Sequence, residues 1–383
     1  MQLIRRDRRN TPSERPLNMK IETGFGGGWL GGIAEQVKAL EARGFDSIVV
    51  PETKHNSLFH MMLAAEHTER VEISSSVTIA FPRTPMIMAQ AAWDMQELSK
   101  GRINLGLGSQ VKGHNVRRFG GTWTPPAKRM EDYINMMRAV WHSWQTGERP
   151  EYISDNYTYT LMTPMFDPGP IPYDPPKISL ANVGPLMAQV AGACADGLRP
   201  HGFMTHKVMM ETVIPNVEKG ARRAGRTLDD IDLGVGGFMA FGETESEVEQ
   251  SIDGLRRAIS FYGSTRSYHH IFEAHGFDSL GMQLHELSLK GEWDKMADAV
   301  NFEVAAEMAH ATTWDDLPKY VNNNLSYASR IGLGQYVRQQ EEGRSSFGYP
   351  GSRDGHAPPT LTEERLTWLM DELRPLGANP IVD

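Results

Sequence analysis

The chain has 383 residues and a formal charge of −9 at pH 7, which excludes nucleic acid as a main partner because phosphate binding needs a basic face. Its lone cysteine, Cys194, excludes an internal disulfide framework. No apolar run approaches the ~20 residues that span a bilayer, and MQLIRRDRRN lacks the apolar segment of a secretory leader, so a cytoplasmic protein is expected.

Residues 1–18 are polar, basic and proline-containing, and read as a solvated arm. MKIETGF is a weak first strand running into Gly24, Gly26, Gly27 and Gly28. Their spacing does not match a dinucleotide fingerprint; flexible backbone near a ligand or lid is the better use. Ile33, Val37 and Leu40 line one face of a helix ended by Gly44, and Phe45–Val50 is the second strand, followed by PETKHNSLFH. Val71–Ile79 is the third strand. Thr84–Leu98 carries Ile87, Ala91, Met95 and Leu98 at helical spacing, with Gly101 as its stop, and 103–108 is the fourth strand. A helix from about Ala127 to Trp144 precedes residues 147–176, a proline- and aromatic-rich excursion expected to lack regular structure.

Lys177–Ala181 is the fifth strand, with a helix starting at Gly184–Pro185. Gly197–Pro200 is the sixth, with a helix over 206–224. Ile231–Phe241 reads as the seventh strand, and Thr244 with Glu247 forms a capping box. The helix it opens places Val248, Ile252, Leu255 and Ile259 on one face. A second insertion spans 262–310, and Asn322–Tyr327 is the expected eighth strand. Residues 328–383 form a C-terminal extension, with a Gly/Pro-rich strap before a short helix at 362–373. Repeated strand–helix alternation argues for an α/β (β/α)8 TIM barrel over 19–327, and such a barrel spends about 250 residues and tolerates insertions.

The stretch AWDMQELSKGRINLGLGSQV, followed by HNVRRFG, resembles the bacterial luciferase-like oxidoreductases, in their branch that uses the deazaflavin coenzyme F420. PETKH at 51–55, AAEHTERVEI at 64–73, LANVGPLMAQVAG at 180–192 and ISFYGST at 259–265 extend the resemblance, in the same order, over roughly 19–327. It implies a TIM barrel whose strand ends hold a tricyclic redox coenzyme and a small substrate. A metal site is not implied: His55, His60 and His67 match no standard ligand spacing, and no metal is expected.

Active sites of such barrels gather at the carboxyl ends of the strands. There stand Glu52, Thr53, His55 and Asn56, then Ala80 and Phe81, then Ser109, Gln110 and His114, then Asn182, Val183, Gly184 and Pro185, then His201. Glu52 and His55 are the candidate catalytic pair. A histidine near neutrality suits proton donation, though a structural role for His55 stays open, and Glu52 fits orienting a loop or coenzyme better than proton transfer. The related branch commonly follows this histidine with Asp-Pro, where this chain has Asn56-Ser57.

Thr53, Ala80, Phe81, Ser109, Gln110, Asn182, Val183, Gly184 and Pro185 are the candidate coenzyme contacts. Gly184-Pro185 offers backbone N–H groups at a helix start, which suits a phosphate; an ordinary βα turn is the alternative, and the resemblance places the coenzyme phosphate here. A small residue at Gly108 would let the ring lie flat, and the resemblance implies a bulge with a non-proline cis peptide at Ala80–Phe81, pressed against the ring. His114, Arg118 and His201 are candidate substrate contacts. Three functions follow: hydride transfer between coenzyme F420 and a small organic substrate, flavin mononucleotide (FMN) monooxygenation, or coenzyme binding without catalysis. Aromatic and Met residues in the excursion predict an apolar substrate. A homodimer or higher homo-oligomer is expected.

Overall fold

Each of the first six predicted strand–helix pairs becomes one parallel unit of a barrel in the computed structural model, which describes residues 19–26, 28–337 and 360–377. The strands are β1 (Lys20–Gly24), β2 (Ser47–Val50), β3 (Glu72–Ser75), β4 (Ile103–Gly108), β5 (Lys177–Asn182), β6 (Gly197–Pro200), β7 (Asp232–Leu233) and β8 (Arg330–Gly332). They pair in parallel in the order β7-β6-β5-β4-β3-β2-β1-β8. A bridge between Gly234 and Arg330, with Ser329 N–H donating to the Leu233 carbonyl, closes the ring. Most of the helices named here start where short polar side chains or proline satisfy or spare their first N–H groups. Helix α1 is Ile33–Ala42. Asn56 caps α2 (Ser57–His67), and Thr84 caps α3 (Pro85–Leu98), which has Pro85 first. α4 (Pro126–Thr146) and α5 (Pro185–Cys194) also begin on proline. α6 is Ile214–Arg223. Thr244 caps α7 (Glu245–Gly263), and Thr362 caps α8 (Glu363–Leu373).

The far end of the chain departs from expectation in three places. Asn322–Tyr327 is not a strand: Leu317, Val321 and Leu325 are buried at a spacing of four, so this region is the helix Leu317–Asn324 and its exit. The closing strand comes later, at Arg330–Gly332, inside what was expected to be extension. The expected seventh strand splits at a glycine cluster, where Gly237 has φ +105°. Its second half, Phe238–Gly242, leaves the barrel wall and pairs in parallel with Ala309–Thr313. Nor is the 147–176 excursion wholly irregular, since Tyr152–Ile153 and Thr158–Tyr159 form a small antiparallel ladder. The N-terminal arm and the strap lie outside the described residues. No helix among the described residues is long and apolar enough to cross a membrane.

Charge, not only packed hydrocarbon, fills the barrel's interior. Arg330 of β8 donates to Glu22 of β1 at 2.6 Å and to Glu72 of β3 at 2.9 Å, and also pairs with Asp232. Arg199 of β6 grips both oxygens of Glu22 at 3.0 and 3.1 Å and the Ser74 hydroxyl at 2.8 Å. Lys20 completes the set on Glu72. Burial alone would raise these carboxyls, but Arg199 and Arg330 reverse that for Glu22, and Arg330 and Lys20 hold Glu72 well below the ordinary value. Against the same burial, Arg330 brings Asp232 down to about 2.

Unfolded carboxyls titrate near 4, so between there and about 2 the unfolded chain binds more protons than the folded one. The stabilisation is therefore complete above about pH 5 and is lost as pH falls toward 2. Urea unfolding should show a midpoint that drops steadily below pH 5. Arg330→Met should cost about 3–5 kcal/mol at pH 7, since it removes the cation that three buried carboxylates share, and should flatten that acid limb; a midpoint constant down to pH 3 would contradict this account.

Candidate functional site

Glu52, just past β2, fastens two strand ends together. Its carboxylate accepts from Arg83 Nη2 and Nη1 at 2.5 and 2.9 Å, from the Ile79 N–H at 2.6 Å and from the Ser57 N–H at 3.4 Å. Arg83 also donates to the Ile79 carbonyl at 2.6 Å. With both oxygens engaged, Glu52 serves to position the rim. Beside it the half-buried His55 ring lies 4.8 Å from Trp29 and 6.4 Å from His60. His60 is buried and spans the carbonyls of Asn56 and Gly28, tying the loops after β1 and β2. Asn56, where the related branch has aspartate, accepts the Leu58 N–H as a helix cap.

At the end of β3 the chain bends through Thr78–Ile79, which pairs with β4, and the Ala80 N–H donates to the Gly108 carbonyl at 2.9 Å. The non-proline cis peptide expected at Ala80–Phe81 lies instead at Ser76–Val77. That bend explains the two glycines of LGLG. A Cβ on Gly106 would come within 1.7 Å of the Ser75 carbonyl oxygen, and one on Gly108 within 2.4 Å of Val77 Cγ2. Gly108 thus makes room for the neighbouring strand. Ala80 and Phe81 are buried, and the Arg129 guanidinium covers the Phe81 ring at 4.3 Å.

Past β4, the Ser109 carbonyl accepts from Asn115 Nδ2 at 2.8 Å. Gln110 takes φ +59° and its Oε1 accepts the Val111 N–H. His114 and Arg118 are exposed on this loop. Arg118 reaches across to the Thr53 carbonyl at 2.8 Å and covers the Phe119 ring, linking the loops after β4 and β2.

The β5 end has a different character. Asn182 is buried, with Nδ2 on the Gly184 carbonyl, while Val183 is half-buried and Pro185 exposed. Gly184 precedes α5 with no side-chain cap, leaving the N–H groups of Leu186 and Met187 facing outward from the helix start. A Cβ on Gly184 would meet nothing within 4 Å. One strand over, His201 donates its N–H to the Asn182 carbonyl and accepts the Phe203 N–H on Nδ1. Its ring packs against Tyr262 and Tyr268. The fold therefore brings every candidate to one rim, but in two groups: Glu52, His55, Ser109 and Arg118 on one side, and Asn182, Gly184 and His201 on the other.

Residues 21–321 match the family described as luciferase-like monooxygenase. The chain belongs to that family. It is 37% identical over 276 residues to the Mycobacterium tuberculosis protein Rv1360, covering 72% of this chain and 81% of that one. It is 32% identical to the F420-dependent glucose-6-phosphate dehydrogenase of Gordonia bronchialis, over 52% of this chain and 61% of that relative. Among solved structures, the coenzyme F420-dependent tetrahydromethanopterin reductase of Methanopyrus kandleri superposes with a TM-score of 0.67 at 18% identity, over 93% of this chain and 98% of that one. The chain is thus a luciferase-like oxidoreductase, and the barrel mouth is its candidate site.

Within this candidate site, three contributors were not nominated by the sequence reading, although Tyr262 lies in the block ISFYGST. Arg83 sits 31 residues from Glu52, and Tyr262 and Tyr268 reach His201 from the second insertion. Three tyrosines of the excursion bond to α4: Tyr152 to Asp132, Tyr157 to Arg129 and Tyr159 to Ser143. A double-mutant cycle tests the rim fastener. Glu52→Gln and Arg83→Met should each destabilise by about 2 kcal/mol, the size of a charge-assisted hydrogen bond, and the double variant by well under the sum. Additive losses in urea unfolding would show that the pair is not coupled.

Proposed function

We propose that the chain is an oxidoreductase that passes hydride between the deazaflavin coenzyme F420 and a small, uncharged organic substrate. The observation that carries this reading is the open start of α5. Two unclaimed N–H groups and a glycine with free space around it form an anion cradle on the same rim as His55 and Ser109. Gly184, Leu186 and Met187 would hold the coenzyme's phosphate, and Ala80, Phe81, Ser109 and Gln110 would border its ring. When bound, reduced deazaflavin supplies the hydride. The chain's own task is to fix that ring with one face open and to offer a proton, and His55 is the half-buried titratable group placed for it. Similarity to relatives named for coenzyme F420 supports deazaflavin over flavin. The family's monooxygenase members make FMN with oxygen the second reading.

Titration of the full chain with each coenzyme, followed by fluorescence, separates the two. Coenzyme F420 should bind at least about tenfold more tightly than FMN, a difference of ~1.4 kcal/mol. Preferred FMN binding together with oxygen uptake by the reduced-FMN complex would establish the monooxygenase instead. Gly184→Asp should weaken coenzyme binding about tenfold or more by setting a carboxylate against the phosphate. Gly184 has φ −112° and an empty surround, so the fold should survive that change.

The same reading makes the protein a cytoplasmic homodimer. Supporting it, the neighbouring helices α2 and α3 expose Phe59 (59%), Met62 (42%) and Ile87 (56%), an apolar patch of the kind that marks association surfaces. Phe59→Glu with Met62→Glu should convert dimer to monomer in sedimentation velocity; an unchanged dimer would place the interface elsewhere.

A further inference from the structure

His201 is the first residue beyond β6, and three features of its setting converge. Its backbone N–H is tied to the Asn182 carbonyl, two residues before Gly184, so the ring's origin is fixed beside the anion cradle. Its Nδ1 accepts the Phe203 N–H at 3.0 Å, which in the neutral imidazole puts the hydrogen on Nε2. The ring stands edge-on to Tyr262 at 4.5 Å and tilted to Tyr268 at 5.1 Å, and Phe203 stacks on Tyr268.

Among the described residues, no charged side chain acts on the His201 ring. Burial pushes the His201 imidazole down to about 4, and no charged side chain adds to that shift. Burial, with Tyr262 beside it, pushes the Tyr268 phenol up to about 12. At neutral pH both groups are uncharged, and His201 offers a donor whose tautomer the backbone has chosen.

We infer that His201 is a specificity-determining residue whose Nε2–H, offered from an uncharged aromatic recess shared with Tyr262 and Tyr268, selects substrates that present a neutral carbonyl or hydroxyl oxygen on an apolar body. The inference rests on the oxidoreductase reading and names a substrate class for it. A carboxylate or phosphate entering this recess would shed its hydration with no cation among the described residues to replace it, which is costly. A pure hydrocarbon would leave the Nε2–H without a partner. A ketone or alcohol avoids both costs, and Tyr262 and Tyr268 supply flat surface for its apolar part.

The full chain, with 15N-labelled histidine, tests this without any coenzyme. Long-range 1H–15N spectra should show His201 as the neutral Nε2–H tautomer from about pH 8 to about pH 5, titrating only at lower pH. Acetophenone should move the Nε2 resonance, while ethylbenzene and benzoate should not. In His201→Phe the ratio of acetophenone to ethylbenzene affinity should fall about tenfold, the size of one neutral hydrogen bond, with ethylbenzene binding changed less than about twofold. A protonated or Nδ1–H ring at pH 6 would overturn the inference, as would an affinity ratio unchanged in the variant. Should the variant fail to fold, the wild-type tautomer and the contrast between the three probes decide it alone. Coenzyme F420 titration of the wild-type chain reports separately on the oxidoreductase reading, and its failure would leave the His201 spectra to be judged on their own.

Discussion

Closure of the barrel depends on Arg330. The last two strands are very short, Asp232–Leu233 and Arg330–Gly332, so the seam where the ring meets itself has few backbone hydrogen bonds. One guanidinium joins strands one, three and seven to strand eight through Glu22, Glu72 and Asp232. Buried ion pairs seldom add much stability relative to packed hydrocarbon, because desolvation offsets the attraction. What they add here is register. A closing strand slipped by one residue would turn Arg330 out of the lumen and leave the three carboxylates facing one another with only Lys20 and Arg199 to balance them. The three cations Lys20, Arg199 and Arg330 match the three anions, so the interior is neutral only when the ring is closed in this alignment.

That alignment is what sets the rim. Strand ends in a barrel are positioned by the strands' mutual stagger, so the arrangement of Glu52, Ala80, Gly108, Asn182 and His201 is inherited from pairings made deeper in the lumen. The rim is then stitched by local bonds that reach from one strand end to the next: Glu52 to the Ile79 N–H, Ala80 to Gly108, and His201 to Asn182. Other groups stand just beyond these bonds. His55 stands beyond Glu52, the amides of α5 beyond Asn182, and Nε2 of His201 beyond its own anchored backbone.

The first six strands were legible because each is followed by a helix with its own apolar stripe and stop signal, as in Thr84–Leu98 ahead of Gly101. Reading failed where those local signals thinned. Leu317, Val321 and Leu325 carry a helical period that the run of asparagines obscured, and a three-residue strand such as Arg330–Gly332 offers no period to detect. The same holds at the site. Barrel geometry sufficed to nominate residues at strand ends. It could not nominate Arg83 or Tyr268, whose importance comes from contacts across tens of residues. The bend at Ser76–Val77 likewise belongs to how strand three meets Gly106 and Gly108, and Ala80–Phe81 lies just past it.

The two sides of the rim differ in charge, and that difference bears on how ligands are sorted. The loops after β2 and β4 expose Lys54, Lys112, His114, Arg117 and Arg118 to solvent, a basic surface that water and salt screen. The β5–β6 side also carries fixed dipoles: the helix start at Gly184 and the oriented imidazole of His201. Fixed dipoles in a partly dry recess discriminate by partner geometry, because a donor left unpaired there costs more than it does at a wet surface. Side-chain cations on the outer loops draw anions in from a distance, yet they cannot distinguish a ketone from a hydrocarbon. If His201 meets the substrate as proposed, discrimination among neutral molecules falls to the β6 side, where burial keeps the histidine uncharged and the Phe203 amide keeps it in one tautomer.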